Sequence, residues 1–169
     1  MTTAVLSIGS NIGDRLGHLR SVVQAIGDRL IVASGVYQTA PWGGVDQQPF
    51  YNAVLIVEDA DLDPAGWLAL AQDCERAADR TREVRWGPRT LDVDVIAAYD
   101  TEGMLIESGA ARLTLPHPRA HERAFVLAPW VEVQPHAMLP QGPADELLRG
   151  LVADGDPQQQ VERLDEVSL

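Results

Sequence analysis

The chain contains no lysine, and all thirteen of its basic residues are arginine. A lysine Schiff base and a P-loop lysine are therefore excluded. Any phosphate chemistry must rest on guanidinium forks, backbone amides or metal. Cysteine is almost absent as well: Cys74 stands alone, so no intrachain disulfide can form. That fits a reducing compartment, and a cytoplasmic location is expected. No apolar run approaches the roughly 18 residues of a membrane-spanning helix. The opening MTTAVLSIGS has neither the basic start nor the long apolar stretch of a signal peptide. Positive charge is in short supply overall. The net charge of -12 opposes non-specific binding to nucleic acid or to anionic membranes. Internal repeats, low-complexity tracts and interdomain linkers are missing too, which leaves one domain.

What is present suits a globular fold. A chain of 169 residues, 46% hydrophobic and 22% charged, can bury a core without staples. AVLSIG reads as a first strand ended by Gly9. From Asp14, a plausible N-cap, Leu16, Leu19, Val22, Val23, Ile26 and Leu30 recur at helical spacing. Residues 31–38 are β-rich, 39–49 form a Pro/Gly-rich loop, and YNAVLIVED (51–59) is a clear strand. Asp63-Pro64 opens a helix in the cap-then-proline manner, with Leu68, Ala71, Cys74 and Ala78 on one stripe. The alternation of 91–96 gives another strand. The order β-α-β-β-α-β predicts an α+β fold with a ferredoxin-like core, an antiparallel sheet with helices packed on one face. A C-terminal extension follows, in which LTLPHPRAHERAFVLAPW reads as a short extended piece and a helix opening at Pro118. Residues 1–150 are expected to form the single domain, and 151–169 a polar, acidic, weakly ordered tail.

Three stretches carry chemistry. In LDVDV, Asp92 and Asp94 leave one face of a strand about 6–7 Å apart. Alone, such a pair is equally well a solvated edge-strand face. Here it follows five arginines (Arg76, Arg80, Arg82, Arg85, Arg89) within fourteen residues, which alone could be a solvated helix face. Together they suggest magnesium, which takes hard oxygen ligands and shares them with substrate phosphates. Two such ions can clamp an in-line displacement at phosphorus, so phosphoryl-type transfer is implied. In TAPWGGVDQQPFYN, Trp42, Phe50 and Tyr51 stand beside Asn52. Each aromatic could simply pack. A flat heteroaromatic ligand would need such faces and an amide that both donates and accepts. In LPHPRAHERAF, His117 and His121 lack a cysteine or third histidine for zinc. A phosphate contact for His117 is at least as plausible as a structural role, and Arg123 with Phe125 repeats the pairing of guanidinium and aromatic.

SIGSN, TAP-x-G…DQQPFYN, RWGPRTLDVDV and LTLPHPRAHERAF, in this order, closely resemble the 6-hydroxymethyl-7,8-dihydropterin pyrophosphokinases of folate biosynthesis. The likeness covers residues 4 to about 135, and RWGPRTLDVDV is its most specific part. It implies transfer of pyrophosphate from ATP to the pterin hydroxymethyl group, releasing AMP. By the same resemblance, Asp92 and Asp94 would hold two Mg2+ ions. Arg80 and Arg82 would close over the triphosphate with Trp86, and Arg89, His117 and Arg123 would line the reacting phosphates. Gln72 and Glu75 would lie beside the nucleotide, with Arg112 and Thr114 at its adenosine end. Phe50 and Phe125 would sandwich the pterin and Asn52 would read its edge, with Thr39, Trp42 and Asn11 in or supporting that pocket. The sequence departs from the family pattern at Ala40, at Pro49 directly before Phe50, and at Pro118. A monofunctional monomer is expected, with the two small-molecule substrates as partners and neither nucleic acid nor membrane. A magnesium-dependent nucleotidyltransferase would also want D-x-D and arginines, and differs in its product. A small RNA-binding domain of ferredoxin-like fold is opposed by the net charge.

Overall fold

The computed structural model describes residues 1–39, 48–79 and 90–169. In chain order these form β1 (Thr2–Ser10), α1 (Arg15–Ile26), β2 (Leu30–Ala33), β3 (Val36–Thr39), β4 (Phe50–Asp59), α2 (Pro64–Asp79) and β5 (Asp92–Tyr99). A hairpin of β6 (Ser108–Ala110) and β7 (Leu113–Leu115) follows, then α3 (Ala124–Val133), the short pair β8 (Met138–Leu139) and β9 (Gly142–Pro143), α4 (Ala144–Ala153) and β10 (Val161–Leu164).

The main sheet runs β10-β3-β4-β1-β5, with β2 also on β4, and its pairings are antiparallel. β1 is an inner strand between β4 and β5, from Thr2 opposite Asp59 to Ser10 opposite Tyr51 on one side, and from Thr3 opposite Tyr99 to Gly9 opposite Asp92 on the other. The β3-β4-β1-β5 order is the ferredoxin-like arrangement expected from the βαββαβ succession.

Local chemistry starts α1 and α2 where the sequence says it should. Asp14 accepts the Gly17 N–H at 3.0 Å, and Asp63 accepts that of Gly66 at 2.8 Å. α1 and α2 cover one face through Leu19, Val22, Ile26, Ala71, Cys74, Ala78 and Trp67. Trp67 is fully buried, and its indole N–H is satisfied by Thr2 Oγ1 at 2.8 Å.

The two core helices keep to one face as expected, and the C-terminal extension places α3 and α4 on the other, where Val126, Leu127, Trp130 and Ala144 meet Val5, Val54, Ile56 and Ile96. Burial on both sides is why AVLSIG is apolar without alternation. The helix after LPHP begins at Ala124 rather than Pro118. A single 3-10 turn spans Ala120–Glu122, and Arg123 then adopts extended torsions that restart the chain as α3. The segment from 151 is not a weakly ordered tail. α4 continues to Ala153, β10 pairs with β3 from Val161 opposite Thr39 to Leu164 opposite Val36, and Leu164, Val167 and Leu169 pack against the core. Its polar composition hides this because an edge strand needs backbone partners more than apolar side chains. Residues 31–38 also divide in two. At the break Ser34 Oγ accepts the Val54 N–H at 2.9 Å, and the Ser34 N–H donates to the Val54 carbonyl at 2.9 Å.

Candidate active site

The face of the sheet beneath α3 changes character along the strands. Val5, Val54 and Ile96 are core, but two residues further on the same face bears Ser7, Asn52 and Asp94, then Gly9 and Asp92. This polar end forms the floor of a cavity of about 480 Å³. Phe50 and Thr39 stand on one side, and Phe125, Arg123, Glu122, Arg119 and Gln159 on the other. The acid pair and the aromatic pair thus face the same space.

Asn52 is buried, and its Nδ2 donates to Thr39 Oγ1 at 3.0 Å. It lies over Gly9, where an added Cβ would sit 2.6 Å from Asn52 Oδ1. Gly9 is there for that close approach, not for an unusual torsion. Arg123 brings its guanidinium within 3.9 Å of Asp94 and 5.6 Å from the centre of the Phe125 ring. Arg15 reinforces the loop before β4: it donates to the Pro49 carbonyl at 2.8 Å and stacks over Tyr51 at 3.8 Å.

His117 is pinned to β5 by its backbone N–H, which donates to the Ile96 carbonyl at 2.8 Å. Burial lowers its imidazole pKa below the ordinary 6.5. Asp94 pulls the other way, while Arg123 and Arg119 add to the depression. The ring is therefore neutral at pH 7. Its Nδ1 accepts the Arg119 N–H at 3.2 Å, so Nε2 carries the proton and can donate.

Of the residues expected at the site, Thr39, Phe50, Asn52, Asp92, Asp94, Arg123 and Phe125 line the cavity together. His117 lies beside them without appearing on the wall, and Asn11 is buried just past β1. Glu75 reaches β5 from α2 and accepts the Val93 N–H at 3.3 Å, and Gln72 is half-buried one turn earlier. Arg112 and Thr114 are exposed on the β6–β7 hairpin. Trp42, Arg80, Arg82, Trp86 and Arg89 lie outside the described residues. Sequence reading missed Ser7, Gly9, Arg119, Glu122 and Gln159. The first two were legible as alternate positions on β1, and Arg119 and Glu122 sit inside the HPRAHER motif. Gln159 carries no local signal.

Among the described residues, no cluster of three or more His, Cys, Asp and Glu forms a ready metal cage. Two carboxylates on one strand face nevertheless suit magnesium, which keeps several waters and takes further oxygens from a substrate's phosphates.

Residues 5–135 match the model of the 7,8-dihydro-6-hydroxymethylpterin-pyrophosphokinase (HPPK) family. The chain belongs to this family. As an HPPK it is similar to the 2-amino-4-hydroxy-6-hydroxymethyldihydropteridine pyrophosphokinase of Mycobacterium tuberculosis, 53% identical over 161 residues covering 93% of this chain and 86% of the relative. Its likeness to the same enzyme of Mycobacterium leprae is 47% over 162 residues, covering 93% and 85%. The fold matches a crystal structure of Plasmodium falciparum HPPK-DHPS with a TM-score of 0.69 at 13% identity, over 96% of this chain. The chain spans 46% of that longer protein. This HPPK is an enzyme, a pyrophosphokinase. Among its described residues no helix is long and apolar enough to cross a membrane.

Proposed function

We infer that this chain carries out the reaction for which its family is named. It transfers the pyrophosphoryl group of ATP to the hydroxymethyl group of 6-hydroxymethyl-7,8-dihydropterin in folate biosynthesis, and AMP leaves. The observation that carries the reading is a single cavity holding both an aromatic pair and an acid pair, each fed from a matched motif.

Phe50 and Phe125 supply faces for the pterin ring, and Asn52, held by Thr39, presents its amide to the ring's edge. Asp92 and Asp94 are the residues that would hold two magnesium ions. Bound there, these would neutralise phosphate charge and lower the pKa of the hydroxymethyl group as Lewis acids. The alcohol oxygen attacks the β-phosphorus in line as the bond to the α-phosphate oxygen breaks, AMP leaves with that oxygen, and the alcohol proton passes to solvent. Arg123 faces the developing charge from beside Asp94, and neutral His117 offers an Nε2–H donor close by. By the family likeness, Arg80, Arg82 and Arg89 would neutralise the triphosphate, with Trp86 in the same stretch of sequence. Gln72, Glu75, Arg112 and Thr114 serve the nucleotide side. Much of the acceleration then comes from positioning and electrostatics rather than from a catalytic base. A reducing, cytoplasmic setting is supported by the lone, buried and unpaired Cys74, and the chain acts as a monomer on small molecules alone.

The test is to incubate the protein with Mg-ATP and the hydroxymethyl-dihydropterin and to identify the nucleotide released. AMP with a pyrophosphorylated pterin is expected. Release of ADP or of free pyrophosphate would assign a different transfer.

A further inference from the structure

Gln159 lies beyond residues 5–135, which the family model matches, yet its side chain lines the cavity. It is half-buried, whereas Gln158 and Gln160 on either side are exposed. Its Oε1 accepts the Ala124 N–H at 3.0 Å, and its Nε2 donates to the Glu122 carbonyl at 3.0 Å. Those two backbone groups bracket Arg123. Arg123 occupies the capping position of α3 with extended torsions (φ -120°, ψ 102°), and its own side chain makes no capping hydrogen bond. The first N–H of α3 is instead satisfied by an amide 35 residues away in sequence.

We propose that Gln159 is a positioning residue for pyrophosphoryl transfer, holding the 122–124 backbone so that Arg123 faces Asp94 across the cavity. This rests on the function inferred above. The C-terminal segment is built to keep Gln159 in place. Asp156 Oδ1 accepts the Gln158 N–H and its carbonyl accepts that of Gln159, both at 2.9 Å. Two residues beyond Gln159, Val161 pairs with Thr39, itself a cavity residue. Arg163 then clamps to Glu132 at the far end of α3, at 2.8 Å. A primary amide suits the task because it accepts and donates at once. A carboxylate could only accept, and a thioether of similar size could do neither effectively.

The test is a double-mutant cycle on the full chain. Gln159→Met keeps the volume and removes both hydrogen bonds, and Gln158→Met is the neighbouring control. Single-turnover AMP formation from Mg-ATP and the pterin is measured with Tm, in the wild-type and Arg123→Ala backgrounds. Gln159→Met is expected to lower the rate about tenfold or more in the wild-type background. With Arg123 gone there is nothing left to position, and the further loss should stay within about twofold. Gln158→Met should match wild type. An unchanged rate for Gln159→Met, or the same loss in both backgrounds, overturns the proposal, the latter being what a purely structural cap would give. Should Gln159→Met fail to fold, Gln159→Glu keeps the acceptor toward Ala124 and is judged by the same two comparisons. Failure of the unaltered chain to release AMP would overturn the functional reading instead.

Discussion

Asp92 and Asp94 stand two apart on β5, on a face that is core further along the strand. Two like charges side by side repel, and β propensity disfavours both. Asp94→Ala or Asp92→Ala should cost roughly 10²-fold or more in turnover while the fold stays intact. Near wild-type AMP release at saturating magnesium would show the carboxylates to be surface decoration. Phe50 separates two roles in the same way. As a stacking platform, its loss in Phe50→Ala should weaken pterin binding by about 1–3 kcal/mol and leave ATP affinity alone. Calorimetry with each ligand decides, and equal losses for both would make Phe50 core. Gly9 is the subtler case. A methyl group there would meet Asn52 Oδ1 at 2.6 Å, and Asn52 is short and tied to Thr39. Gly9→Ala should leave a folded protein whose displaced amide binds pterin about 1–2 kcal/mol more weakly. Unchanged pterin affinity would mean that Asn52 does not read the ligand.

Between elements, the firmest polar joint is at Glu132 on α3. Its carboxylate accepts from Gly35 N and Tyr37 Oη at 2.7 Å each and from Arg163 at 2.8 Å, so β3, β10 and α3 meet on one side chain. Burial alone would raise the pKa of this carboxyl, but the hydrogen bonds from Arg163, Tyr37 and Gly35 outweigh it and hold the group below 4.5. Burial, then the hydrogen bond and charge of Glu132, push the Tyr37 phenol up from 10.0 to about 12. The sign follows from which form the fold prefers. Neutral Tyr37 is favoured in the native state, so its contribution is complete below pH 10 and is lost as pH rises toward 12. Tyr37→Phe should be less stable at neutral pH by about 1 kcal/mol, and should lack this alkaline loss. Denaturation series for the two proteins should converge at high pH, and curves that stay parallel would count against the joint.

For the molecule as a whole, the last sixteen residues belong to the fold. Deleting 154–169 removes β10, the Arg163 clamp and the packing of Leu164, Val167 and Leu169. A loss of at least about 3 kcal/mol is expected, or roughly 6–12 °C in Tm for a domain of this size. An unchanged melting curve would return the segment to the status of a solvated tail.

Much of this protein was determined by local sequence. Caps at Asp14 and Asp63, an apolar first strand and a D-x-D on a strand face are properties of a few neighbouring residues, and the structure holds them as read. The motif residues Phe50, Asn52, Asp92, Asp94, Arg123 and Phe125 were also legible as members of one site, through their types and their resemblance to the family's motifs, and they line one cavity. The geometry of their convergence was not legible. Whether Phe125 meets Phe50 depends on where α3 begins, and Arg123 rather than the preceding proline sets that start. Which face α3 covers, the use of polar residues 161–164 as an edge strand, and the reach of Gln159 to the start of α3 all depend on contacts between distant segments. Such contacts are chosen by the packing of the whole chain. A polar edge strand and a lone glutamine carry no periodicity or motif, so only the tertiary structure could assign them.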